Sequence, residues 1–131
     1  MEPIIVDTSV WIDFFKGIES QNVQTLSEYL ENDFTIFMCP TIIQEILQGI
    51  TNDKQFKEVK EYLLAFPILN DDGIQVAISA AKLYRSIRKK GITIRKSNDC
   101  IIAHYALKYS IKILHQDRDF DMILDNYPKE Q

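Results

Sequence analysis

The run Ile4-Ile5-Val6-Asp7-Thr8-Ser9 constrains the fold of this chain more than any other stretch. Three consecutive β-branched apolar residues show no polar alternation, the pattern of a strand covered on both faces. The acid that ends the run leads into Thr-Ser, residue types that start helices. The reading is strand, tight turn, helix, with the Asp7 carboxylate at the strand's carboxyl end, the rim where open α/β sheets bind ligands. A second run, Ile111 to His115, is followed by Asp117 much as the first is followed by Asp7.

The rest of the chain alternates in the same manner. Val10 to Lys16 reads as a short helix stopped by Gly17, with Asp7, Thr8 or Ser9 as its cap. Ser20 opens a second helix striped by Val23, Leu26 and Leu30, and Asn32-Asp33 breaks it. Residues 34–39, rich in β-formers, predict a second buried strand. Pro40 starts a third helix, striped by Ile43, Ile46, Leu47 and Ile50, with Glu45 on its flank. A fourth runs from Asp53 to Phe66, and 67–69 are extended. Asp71-Asp72 caps a long helix with Val76, Ala80, Leu83, Tyr84 and Ile87 in register, ended by Gly91. Ser97 is expected to cap the next helix, whose Cys100-Ile101-Ile102-Ala103 marks it as buried. Asp119, Asp121 and Asp125 fall on a last short helix or turn. Strands and helices in this alternation imply a parallel sheet with helices on both faces.

A length of 131 residues fits one domain spanning 1–131. No apolar run approaches the roughly 18–20 residues of a membrane span, and the acidic start is not that of a signal peptide. Cys39 and Cys100 sit in apolar neighbourhoods without metal spacing, as buried free thiols of a reducing cytoplasm would. A net charge of −4 argues against a nonspecific nucleic-acid coat. The distribution says more: Lys82, Arg85, Arg88, Lys89, Lys90, Arg95 and Lys96 lie within 82–96 with no acid between them. Such a run is a solvated helix face or a patch that tracks phosphates.

Singly, Asp7, Glu45, Asp99 and Asp117 read as caps and turn residues. Taken together, four carboxylates at strand ends, a helix start and a buried helix flank would repel one another at neutral pH. A hard divalent cation removes that repulsion, and oxygen-only ligation selects Mg²⁺, with Mn²⁺ as a substitute, over zinc. His104 and His115 offer no zinc spacing and read as satisfied core or rim groups.

Four segments carry a family resemblance: 6–15 (VDTSVWIDFF), 44–49 (QEILQG), 98–103 (NDCIIA) and 115–121 (HQDRDFD). In order and spacing they resemble the PIN domain, most closely the VapC toxins of bacterial type II toxin–antitoxin systems. The resemblance implies a three-layer α/β/α fold with a central, mostly parallel sheet of four to five strands. It implies a Mg²⁺-dependent endoribonuclease whose acidic cluster is Asp7, Glu45, Asp99 and Asp117, supported by Thr8, Ser9 and Asp119. It further implies tRNA or another structured RNA as substrate, a cognate VapB-like antitoxin, and a homodimer or toxin–antitoxin hetero-oligomer in the cytoplasm. Arg85, Arg88, Lys89, Lys90, Arg95 and Lys96 are then candidate RNA contacts. One departure is the short tail at 126–131, where Pro128 argues against a last long strand.

Two rivals fit less well. A Mg²⁺-binding phosphorelay receiver-like module needs an Asp ending its central strand, where this chain has Cys39-Pro40, and a late Lys where it has His115-Gln116. A haloacid-dehalogenase-like phosphatase needs an Asp two residues after its nucleophile, a place held by Ser9.

Overall fold

In the computed structural model, which describes residues 1–128, the chain divides into two compact units. The first comprises Met1–Leu69 and Ile111–Gln116; the second comprises Asn70–Ser110 and the chain from Asp117 onward.

The first unit is built on the opening run. β1 (Ile4–Val6) is completely buried and lies at the centre of a three-stranded sheet of order β2-β1-β3, with β2 at Ile36–Phe37 and β3 at Lys112–Leu114. Both pairings are parallel, with Ile5 opposite Phe37 on one side and Ile113 on the other. Among the described residues the sheet therefore has three strands rather than four to five. The segment 34–39 pairs with β1 over only two residues, and the extended segment 67–69 contributes a single bridge, Met38 to Ile68, rather than a strand. Propensity favoured a longer strand; available partners set its length. β3 is likewise an edge strand with Lys112 exposed, not one buried on both faces.

Asp7, rather than Thr8 or Ser9, caps α1 (Thr8–Phe15), and Gly17 ends it at φ +72°, a conformation that glycine adopts without a Cβ clash. α2 (Gln21–Glu31) starts at Ser20, whose hydroxyl accepts the Val23 N–H. Its buried stripe is Val23, Leu26 and Tyr29, with Leu30 half-buried. α3 (Pro40–Gln48) buries Ile42 and Ile46, so its inward face is rotated from the expected stripe by about one residue. α4 (Asp53–Leu64) is capped by Asn52. Trp11 is fully buried among Phe14, Phe15, Tyr62 and Phe66, with ring centroids 5.4–6.3 Å away. This cluster joins α1 to α4, with Trp11 at its core.

The second unit packs α5 (Gly73–Lys89), α6 (Asn98–Tyr109) and α7 (Arg118–Asn126) around Ala80, Leu83, Ile87, Ile94, Cys100, Ala103 and Ile123. α6 is as buried as its apolar sequence requires. Ser97 does not cap it: its backbone is already helical and its hydroxyl accepts no cap bond. Both cysteines are free and buried, and burial pushes each thiol up to about 11. No helix of the described residues is long and apolar enough to cross a membrane.

Asp72 caps α5, which leaves Asp71 for a different task. Its Oδ1 accepts from Tyr109 OH at 2.6 Å, and its Oδ2 pairs with Lys108 Nζ and His104 Nε2, each at 2.9 Å. A carboxylate only accepts, so His104 Nε2 carries the proton toward it; Nδ1 meets Ser79 Oγ at 2.7 Å. His104 is thus a satisfied structural group. The Tyr109, Lys108 and His104 bonds hold the Asp71 carboxyl well below the usual carboxylate range. A depressed carboxylate stabilises the fold above its unfolded value, about 4, and loses that contribution as pH falls. Asp71→Asn is therefore expected to lower Tm at pH 7, and the difference should shrink progressively as pH falls below about 4 in thermal melts across pH. A Tm difference independent of pH would contradict the pairing.

Candidate functional site

The acids singled out in the sequence fall into two sets, one in each unit. In the first unit, Asp7 is 6% exposed despite its charge. Ser9 holds it: Ser9 Oγ donates to Asp7 Oδ2 at 2.6 Å, and the Ser9 N–H points at the same oxygen from 3.4 Å. Thr8 Oγ1 donates to Glu45 Oε1 at 2.9 Å, so the turn after β1 reaches across to α3. The buried β1 fixes the turn, the turn presents Asp7, and its two hydroxyls orient Asp7 and Glu45.

In the second unit, Asp99, Asp117 and Asp119 come together, each offering an oxygen within 4.8 Å of the others. Asp99 lies in the first turn of α6 and is buried beside Cys100. Asp117 is the N-cap of α7, its Oδ1 accepting the Asp119 N–H at 3.0 Å. Asp119, in the same first turn, is buried. Asp117 is held below the ordinary carboxylate range, first by the Asp119 N–H and then by the Arg95 charge, against its partial burial.

Three carboxylates this close suit a hard divalent cation, because every donor is an anionic oxygen and two of the three residues are buried. The donor set therefore fits the metal that the sequence called for, and Asp119, read there as a support, is a full member of the triad. Thiolate or imidazole ligation has no place in it.

Sequence reasoning missed the partner of Arg95. Instead of projecting freely, its Nη2 donates to Asp117 Oδ1 at 2.7 Å, and its Nε and backbone N donate to Asp119 Oδ2 at 3.2 and 3.1 Å. Only the spacing between Arg95 and the acids, more than twenty residues in sequence, hid this contact. The other basic residues of the run are exposed; Lys90 Nζ donates to the Asn126 carbonyl at 2.6 Å, and Arg88 faces Tyr84 OH.

The PIN domain family matches residues 4–123, and the chain belongs to that family. Among curated proteins it is similar to VapC ribonuclease Mb1587 of Mycobacterium bovis and to ribonuclease VapC11 of Mycobacterium tuberculosis. Each is 36% identical over 122 residues, 92% of this chain and 90% of the relative. The homology is thus to PIN-domain ribonucleases. Among solved structures, one of FitAB bound to an IR36 DNA fragment shares the fold, with a TM-score of 0.66 at 22% identity over 92% of this chain and 90% of that one.

Proposed function

We propose that the chain is a single PIN domain acting as a Mg²⁺-dependent endoribonuclease toxin of the VapC type, with Mn²⁺ as a substitute ion. The observation that carries this reading is the Asp99–Asp117–Asp119 triad, an oxygen-only donor set in a chain homologous over nearly its whole length to VapC ribonucleases.

Asp99, Asp117 and Asp119 would hold the ion. Asp7 and Glu45 serve the same reaction; the family match takes in both sets of acids, which supports assigning them together. Ser9 and Thr8 keep the Asp7 and Glu45 carboxylates in fixed rotamers through the bonds described above. When bound, a divalent ion supplies Lewis acidity, polarising water and a phosphoryl oxygen and offsetting the charge that builds during in-line displacement. The products are 5′-phosphate and 3′-hydroxyl ends. The basic run at 82–96 belongs to the same unit as the triad, which favours the phosphate-tracking reading of Arg85, Arg88, Lys89, Lys90 and Lys96.

A tRNA or other structured RNA is the substrate class, since unstacked loops can be splayed for cutting. A cognate VapB-like antitoxin and a homodimer or toxin–antitoxin hetero-oligomer belong to the same reading through the family. The receiver-like alternative gains nothing: after β2 the chain enters α3 at Cys39-Pro40 with no acid there. Sequencing of 5′-phosphate RNA ends after brief expression of the parent and of Asp7→Ala tests the proposal. Discrete new ends in structured RNA are expected from the parent alone; identical end profiles would refute it.

A further inference from the structure

We infer that Arg95 is a positioning residue for the ion, clamping Asp117 and Asp119 so that both carboxylates are set before it binds. The inference rests on the metal-dependent reading above. Each carboxylate oxygen presents two lone pairs in the carboxylate plane. Asp117 Oδ1 receives two donors, the Asp119 N–H at 3.0 Å and Arg95 Nη2 at 2.7 Å. Asp119 Oδ2 also receives two, the Arg95 backbone N–H at 3.1 Å and Nε at 3.2 Å. One planar guanidinium therefore fixes the rotation of two carboxylates at once, which a fork of N–H groups does and a point charge does not. The clamp is anchored from behind, because the preceding Ile94 is buried in the core of the same unit.

Two effects of Arg95 on a cation oppose each other. Its positive charge repels the ion, while its hydrogen bonds remove the cost of orienting the ligands. The side chain is 65% exposed, so water and salt screen its charge. Partners that orient ligating groups are worth about 10–100-fold in metal affinity. Orientation therefore outweighs repulsion, and removing Arg95 is expected to weaken ion binding rather than strengthen it.

The test is calorimetric titration of Mn²⁺ alone into the parent, Arg95→Ala and Arg95→Lys, with thermal melts of all three. Arg95→Ala is expected to weaken Mn²⁺ binding about tenfold or more. Arg95→Lys, which keeps the charge and loses the fork, is expected to bind as poorly. Melting temperatures should stay within a few degrees, since the backbone N–H to Asp119 survives both changes. Unchanged or tighter Mn²⁺ binding by Arg95→Ala overturns the inference, as does full recovery by Arg95→Lys. A parent that binds no Mn²⁺ overturns the nuclease reading itself and the clamp with it.

Discussion

Asp99→Ala is expected to remove RNA cleavage by about a thousandfold or more while leaving the protein folded. Asp99 supplies one of three oxygens that lie within 4.8 Å of one another. Lewis-acid stabilisation of the transition state is worth several kcal/mol, and about 4 kcal/mol corresponds to a factor of about 10³. The fold should tolerate the change, because deleting one of three crowded carboxylates relieves repulsion. Single-turnover rates on a defined tRNA, read beside the melting curve, separate the two effects. Asp125→Asn, an exposed acid on α7 outside the triad, should cut at the parental rate. An Asp99→Ala protein that cuts within tenfold of the parent would remove Asp99 from the reaction.

Trp11→Ala is expected to cost about 3–5 kcal/mol of stability, the range for deleting a fully buried aromatic side chain. Trp11 is 0% exposed and touches four aromatic rings that link α1 to α4. The same helix begins at Asp7, whose carbonyl accepts the Trp11 N–H at 3.2 Å, so the packing that holds Trp11 also holds the turn bearing the acid. Trp11→Phe should cost less, partly because the indole Nε1 is buried without a hydrogen-bond partner among the described residues and nothing polar is forfeited with it. Denaturant melts followed by circular dichroism suit the comparison, since Trp11 is the sole tryptophan and fluorescence is lost with it. A loss below about 1 kcal/mol for Trp11→Ala would mean that the aromatic cluster is not the core contact described.

Features that depend on local sequence are legible in the chain itself. The buried β1, the Asp7 turn, the Ser20 cap, the apolar face of α5 and the buried α6 each follow from residues within one or two turns of each other. What failed depended on distant partners. Residues 34–39 have the composition of a strand, but only two of them find a β1 partner. Asp71 reads as half of a capping pair, yet its ligands His104, Lys108 and Tyr109 come from α6, more than thirty residues on. Arg95 reads as one more residue of a basic run, and only the fold shows the two acids it clamps. Of the four acids the sequence groups, Asp99 and Asp117 lie together, as carboxylates crowded enough to suit a cation do, whereas Asp7 and Glu45 belong to the other unit. Asp119 was underrated because its partner in the triad, Asp117, is also its helix cap, and a first-turn acid has an ordinary structural explanation.

The most direct test is to strip the purified protein with EDTA, incubate it with a defined tRNA, and add back Mg²⁺ in steps while mapping the ends formed. No cleavage in EDTA, saturable recovery with Mg²⁺, and 5′-phosphate ends at discrete positions are expected. Cleavage undiminished by EDTA, or products ending in 2′,3′-cyclic phosphate, would contradict it.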